Sequence, residues 1–246
     1  MINEHINTIA VIPARINSKR FPKKNISILN NRPLIAYAIS ALKSSEKIDK
    51  IFVSTNSDEI ANIAKKNGAI IPYIRDEKLS GDDITIDQVV SDLILKLRYD
   101  ESPQIKNLIV IQPTSPFVET EHINCCIDLL NNNNNFDSVA TYSLLDHRHH
   151  PYNLSKISED NKFEFIHEIQ RKKNKTRQSK PNYYKFANLF VSRIPSFLKN
   201  GRFGNNKGGI IIDSIYSWDI DYDWELNIAE FIINSDIVKL NHLNIG

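Results

Sequence analysis

Short apolar runs recur through the first half of the chain, and between them the apolar positions fall at helical spacing. The runs at 8–12 (TIAVI), 50–54 (KIFVS), 69–73 (AIIPY), 107–111 (NLIVI) and 138–144 (SVATYSL) predict strands. The stretches 33–42, 58–66, 84–97 and 119–130 predict helices. Pro33 suits a first helical turn, and Asn67-Gly68 supplies a C-terminal cap for the second helix. The five asparagines 131–135 predict a loop or a frayed helix end.

Strands alternating with helices at this spacing predict an open, mostly parallel sheet with helices on both faces, a three-layer, Rossmann-like α/β architecture. Ligands of such sheets bind beyond the carboxyl ends of the strands, which puts 13–25, 54–58 and 112–117 on one edge. The alternation stops over 145–182, where His147, His149 and His150 precede RKKNKTRQSK without a clear period. It resumes with strands at 185–192 and 208–213 and a helix within 222–233. The expected organisation is one domain over 1–246, with 145–182 inserted as a flap or dimerisation arm. No internal repeat is visible.

Composition narrows the field. The 246 residues are 41% hydrophobic and 24% charged, as in soluble globular proteins. A net charge of +2 argues against wholesale nucleic-acid binding, so any basic site has to be local. The two cysteines, Cys125 and Cys126, are adjacent, with no metal-ligand spacing around them, which suggests a reducing compartment. The N-terminal stretch lacks a basic leader region, and no run is long enough to cross a membrane. A cytoplasmic location is expected.

Charge is concentrated directly after the first strand, where Arg15, Lys19, Arg20, Lys23 and Lys24 fall within ten residues. Phosphates are gripped by such side chains together with backbone N–H groups of a tight loop. Pro22 stiffens the loop, and Asn17-Ser18 can take turn conformations. Neither a Walker loop nor a dinucleotide fingerprint is present. The alternative is a solvated basic loop.

Two further stretches carry candidate chemistry. In QPTSP (112–116) two prolines restrict the backbone, so Gln112, Thr114 and Ser115 are held in place, as a polyol ligand requires. The alternative is a turn whose hydroxyls cap the following helix. In SWDIDYDWE, Asp219 and Asp221 are two apart and share one side of an extended segment, a hard-oxygen arrangement suited to Mg2+. The alternative, a helix N-terminus, applies most readily to Asp223.

Together these pieces resemble the sugar-activating cytidylyltransferases, in particular the CMP-sialic acid (acylneuraminate) synthetase family. The matching segments are IPAR…NSKRFPKKN, VSTNSDEIANIAKKNGA, IRDEKLSGD, IQPTSPF, HHP, RQSKP and WDIDYDWELNIAE, in that order over nearly the whole chain. The resemblance implies a nucleotide-diphospho-sugar transferase-like fold. It also implies transfer of CMP from CTP to a nonulosonic acid, Mg2+ on Asp219 and Asp221, and a homodimer formed through the arm. Arg15 and Lys19 would join the two aspartates in catalysis. Ala14, Arg15, Ser18, Lys19, Lys24, Asn25, Arg75 and Thr85 would hold the nucleotide, with the Asn25 amide reading the base. Gln112, Thr114 and Ser115 would hold the sugar, with Arg177 and Lys185 on its carboxylate.

The chain departs from the family at Asp76, where a proline is usual, at Asn153, where a lysine is usual, and at 185–188, where KFAN replaces Arg-x-Asn-Gly. The last two lie on the sugar side. Three rival readings follow: a cytidylyltransferase for another acid sugar such as 3-deoxy-octulosonate, a nucleotide-binding regulator without catalysis, and a nucleic-acid binder using the basic run 171–180. No membrane partner is expected.

Overall fold

The computed structural model describes residues 7–97 and 105–243; residues 1–6, part of the stretch read as lacking a leader, lie outside them. Strand β1 (Thr8–Pro13) is followed by the short pair β2 (Ile28–Leu29) and β3 (Arg32–Pro33), helix α1 (Leu34–Lys43), β4 (Lys50–Ser54) and α2 (Asp58–Lys66). Next come α3 (Ile86–Lys96), β5 (Asn107–Ile111), α4 (Thr120–Asn132) and β6 (Ser138–Leu144). β7 (Ser155–Ile157), β8 (Phe163–Phe165) and α5 (Glu168–Lys173) lie in the 145–182 segment. The chain then forms β9 (Tyr184–Arg193), α6 (Ile194–Asn200), β10 (Lys207–Ile212) and α7 (Asp223–Asn234).

Six strands make the main sheet in the order β10-β6-β9-β5-β1-β4. All neighbours are parallel except β9, which runs antiparallel to both β5 and β6. β1 shows why the apolar runs are unbroken: Ala10 and Ile12 enter one core while Ile9 and Val11 enter the core on the opposite face. α1, α2 and α4 cover the first face, α3 and α6 the second. Burying one such aliphatic side chain contributes about 1.5–3 kcal/mol, so a charge at Val11 would break the layer. A third cluster joins Leu34 and Tyr37 of α1 to Ile220, Ala229 and Ile232 near the C-terminus.

Local chemistry sets the helix ends. The Ser57 hydroxyl accepts from the Ile60 N–H at 3.4 Å, Asp58 and Glu59 lie in the first turn of α2, and Lys65 and Lys66 in its last. Gly68 follows at φ +97°, a left-handed position that glycine takes without strain.

The main sheet agrees with the sequence expectation, with two local differences. The run 69–73 is no strand; Ile70 makes one bridge to Phe52, because Pro72 has no N–H to continue a ladder. The strand expected at 185–192 is present as β9, but it returns alongside β6 as the second arm of a hairpin. Leu144 pairs with Tyr184, and the Leu145 N–H donates to the Tyr183 carbonyl at 2.8 Å. The segment 145–183 is therefore the overgrown loop of a β-hairpin. It leaves the sheet at the carboxyl end of β6, the edge where β1 and β5 also end.

Candidate active site

The basic loop leaves β1 pinned at both ends. The Ala14 N–H donates to the Ser54 carbonyl on β4 at 2.9 Å, and the Asn25 amide donates to the Arg15 carbonyl at 2.8 Å. Lys23 takes φ +55°, a strained conformation for a residue with a side chain, and opens the tight turn Lys24–Ile26. Its ammonium turns away to Glu59 on α2, 2.8 Å distant. The other four cations face a cleft of about 460 Å3.

Each of the four is tied to a carboxylate from a distant part of the chain. Arg15 and Lys19 meet Asp82 at 3.0 and 2.5 Å. Lys24 and Arg20 meet Asp221 at 2.8 and 3.2 Å. The same lining also holds the apolar side chains Leu79, Ile84, Ile86 and Val89, together with Gln112 and Thr114. A lining that combines four cations with a group of apolar side chains suits a ligand with a polyanionic end and a flat, weakly polar end.

Arg75 lies beneath this arrangement, only 4% exposed. Its Nη1 donates to the Ser54 carbonyl at 3.1 Å and its Nε to the Ser80 hydroxyl at 3.2 Å. Burial lowers its pKa, but an arginine starts so high that the cation persists. It both braces the turn at Ser80 and adds positive potential to the cleft.

The aspartate pair sits on an extended segment laid along the QPTSP turn, where the Ile220 N–H donates to the Thr114 carbonyl at 2.9 Å. Ile220 is buried, which sends its two neighbours the other way. The Lys24 hydrogen bond, with the Arg20 charge, holds the Asp221 carboxyl below the usual carboxylate range. Asp219 accepts from the Ser115 hydroxyl at 3.4 Å. It keeps an open flank to solvent, yet the protein atoms crowded around its carboxyl raise its pKa. Hydrogen bonds from Thr114 and Ser115 and the Lys24 charge oppose that rise. The open flank and the nearby lysine favour the ionised form that a cation needs.

The donor set fits Mg2+. Among the described residues no group of three or more His, Cys, Asp or Glu side chains could hold a metal. Two carboxylates is the number Mg2+ commonly takes from a protein when phosphates and waters supply the remaining ligands. Asp221 already draws two cationic side chains, so the position favours positive charge.

The sequence-selected residues do not all converge. Arg15, Ser18, Lys19, Lys24, Asn25, Arg75, Gln112, Thr114 and Asp221 line the cleft. Ala14 is buried as the hinge of the loop, and Asp219 and Ser115 meet beside the cleft without lining it. Thr85 caps α3: its hydroxyl accepts from the Gln88 N–H at 3.2 Å in a capping box. Asp223 opens α7 as its first residue. Lys185 is an exposed residue near the start of β9. Arg177 lines a separate cavity of about 490 Å3 with Asp146, His147 and His150.

The departure at Asn153 has a local account. Its side-chain oxygen accepts from Arg171 at 2.7 Å and from Lys180 at 2.8 Å, gathering two cations of the arm around a neutral amide. Sequence reasoning missed Asp82, Arg20 as a partner of Asp221, and the apolar part of the lining. Only one signal pointed to Asp82: an acid in a Ser-Gly turn shortly after Arg75, opposite in charge to the loop.

Known proteins resemble this chain in sequence and in fold. The sequence model of the cytidylyltransferase family matches residues 9–207. The chain is 39% identical to the CMP-N,N'-diacetyllegionaminic acid synthase of Legionella pneumophila over 49% of its own length and 52% of that protein. It is 29% identical to the protein of the same name in Campylobacter jejuni, over 92% of this chain and 94% of the relative. Among solved structures, a CMP:2-keto-3-deoxy-manno-octonic acid synthetase complexed with CTP superimposes with a TM-score of 0.67 at 12% identity. That match covers 94% of this chain and 99% of the other. At that identity the likeness concerns the fold alone.

Proposed function

The chain belongs to the cytidylyltransferase family, and we propose that it activates a sialic-type nonulosonic acid to its CMP-sugar at the expense of CTP, releasing pyrophosphate. The observation that carries the reading is the cleft, whose lining brings together four cations, two aspartates and a group of apolar side chains. The apolar part of the lining takes the cytosine, and the Asn25 side chain, 6% exposed and on the lining, borders the base. Arg15, Lys19 and Lys24 take the triphosphate, with Ser18 beside them.

In the reaction the anomeric hydroxyl oxygen of the sugar acid attacks the α-phosphorus. The new O–P bond forms as the bond to the β-phosphate bridging oxygen breaks, the hydroxyl proton passes to solvent, and pyrophosphate leaves in line. Cations fixed in advance stabilise the charge that grows on the leaving group. Asp219 and Asp221 would hold Mg2+, which supplies Lewis-acid stabilisation of the phosphoryl oxygens when bound. Among the described residues no histidine lines the cleft, and none is assigned as general base.

Gln112, Thr114 and Ser115 hold the sugar hydroxyls. Arg177, with Lys185, meets the carboxylate from the arm. Arg177 opens onto a different cavity of its own chain, which favours its serving a neighbouring subunit. The arm also exposes Ile157, Phe163 and Ile169 (73%, 62% and 68%), apolar area that a second copy would cover. A homodimer built through 145–182 on a single catalytic domain accounts for both features. No described helix is long and apolar enough to cross a membrane.

The test is pyrophosphate release from CTP with a panel of nonulosonic acids, with and without Mg2+. Turnover with a nonulosonic acid, dependent on Mg2+, supports the reading. Turnover with 3-deoxy-octulosonate alone would move the enzyme to that sugar, and no turnover with any acid sugar would overturn the proposal. Light scattering of the wild type and Phe163→Asp checks the dimer, with the variant expected to be monomeric.

A further inference from the structure

Two of the cations assigned to the triphosphate already hold an anion from their own chain. The Asp82 carboxylate accepts from Arg15 at 3.0 Å and from Lys19 at 2.5 Å, one oxygen to each. Arg15 also donates to the Ser80 carbonyl at 3.3 Å, so the turn carrying Asp82 is docked on the basic loop by backbone as well as side chain. Asp82 faces the cleft, and it borders the concavity on the outer side of the loop too. Its side chain and that of Arg15 are only partly covered, and Lys19 is largely open to water. These pairs are therefore weak enough to exchange.

We propose that Asp82 is a specificity-determining residue, an internal counter-ion that occupies the phosphate contacts of Arg15 and Lys19 until a polyanion displaces it. This rests on the reading of the cleft as the CTP site. A carboxylate brings one negative charge to the two cations, whereas a pyrophosphate group brings more charge and more acceptor oxygens. A multiply charged phosphate chain therefore wins the exchange, and singly charged anions do not. The same competition acts after transfer. As pyrophosphate begins to dissociate, Asp82 recaptures both cations, which weakens product retention without a separate release device.

The opposite role would be scaffolding, in which Asp82 holds Arg15 and Lys19 in position for the ligand. The two roles predict opposite signs. Calorimetric titration with CTP and with inorganic pyrophosphate on wild type, Asp82→Asn, Asp82→Ser and Lys19→Ala separates them. As a counter-ion, Asp82 makes both Asp82 variants bind each ligand about three- to tenfold tighter, the scale of two partly exposed ion pairs that no longer need breaking. The product-inhibition constant for pyrophosphate falls by the same factor, and the gain shrinks at high salt. Unchanged or weaker binding by both Asp82 variants, with binding lost in Lys19→Ala, overturns the counter-ion role and leaves the cleft assignment standing. If wild type binds neither CTP nor pyrophosphate, the cleft assignment fails and the inference with it.

Discussion

The loop after β1 and the arm at 171–180 carry nearly the same density of Lys and Arg, yet the structure treats them differently. In the loop, four cations converge on one concavity and are cross-linked to Asp82 and Asp221, carboxylates from distant parts of the chain. On the arm the run divides. Lys172 pairs with Glu168 one helical turn away, an exposed interaction that water and salt screen. Arg171 reaches Asn153 and lies 4.0 Å from the centre of the Phe165 ring, while Arg177 lines a cavity of its own. Basic residues make a site when rigid elements aim them at one point, and the number of charges is secondary.

The largest expected effects test that contrast directly. Lys24→Ala, and likewise Lys19→Ala, should lower kcat/KM by roughly 30- to 1000-fold, the scale of a lost phosphate contact in the transition state. Lys173→Ala on the arm should stay within about twofold of wild type. Equal losses in loop and arm variants would erase the distinction.

Arg177→Lys keeps the charge and loses the two-pronged geometry. It should raise the sugar KM by about 10- to 150-fold and leave the CTP KM unchanged. A change in CTP KM instead would place Arg177 at the triphosphate. Asp219→Asn and Asp221→Asn should each shift the Mg2+ needed for half-maximal rate by about tenfold or more. Full activity of both at low Mg2+ would leave the pair a purely structural role.

Smaller effects separate structure from chemistry. Thr85→Ala removes the cap of α3 and should lower stability by about 1 kcal/mol, a drop of about 2–4 °C in Tm, with CTP KM unmoved. A selective rise in CTP KM would make Thr85 a nucleotide contact after all. The smallest effect is a pH dependence. The folded pKa of Asp221 is depressed, so its contribution to stability is present above the unfolded value near about 3.9 and lost as pH falls through the folded one. Asp219 has a raised pKa and the opposite sign: its contribution is present below the unfolded value and lost as pH rises through the folded one. Urea unfolding between pH 3 and 6 should therefore show a flatter acid limb for Asp221→Asn than for wild type.

Much of the fold was legible because burial on both faces of a sheet leaves continuous apolar runs, as at NLIVI. The limits of α2 were written in Ser57, the first-turn acids, the last-turn lysines and Gly68. AIIPY has strand composition, but Pro72 removes a donor that composition does not count. The direction of β9 was not legible, since an apolar run buried on both faces carries no sign of which way its strand runs. β7 and β8 are three residues each, too short for any period to emerge. At the candidate site, charge density marked the loop, whereas Asp82 was marked only by its place after the Ser80-Gly81 turn. Its partners stand more than sixty residues earlier, and only the folded chain brings them together.

The antiparallel strand at the centre of the sheet bears on how the chain is assembled during synthesis. β5 and β6 are consecutive in sequence but do not pair; β9, made only after the whole arm, lies between them. A ribosome-bound chain that has emerged through β6 can pair β1 with β4 and β5, but β6 has no neighbour in the main sheet. It has to wait while the basic arm passes through the exit tunnel. Asp221 arrives later still, so the cations of the first loop spend much of translation without that partner. Pauses placed between codons 145 and 183 would prolong the interval in which an unpaired edge is open to other chains, the condition under which nascent β-proteins aggregate.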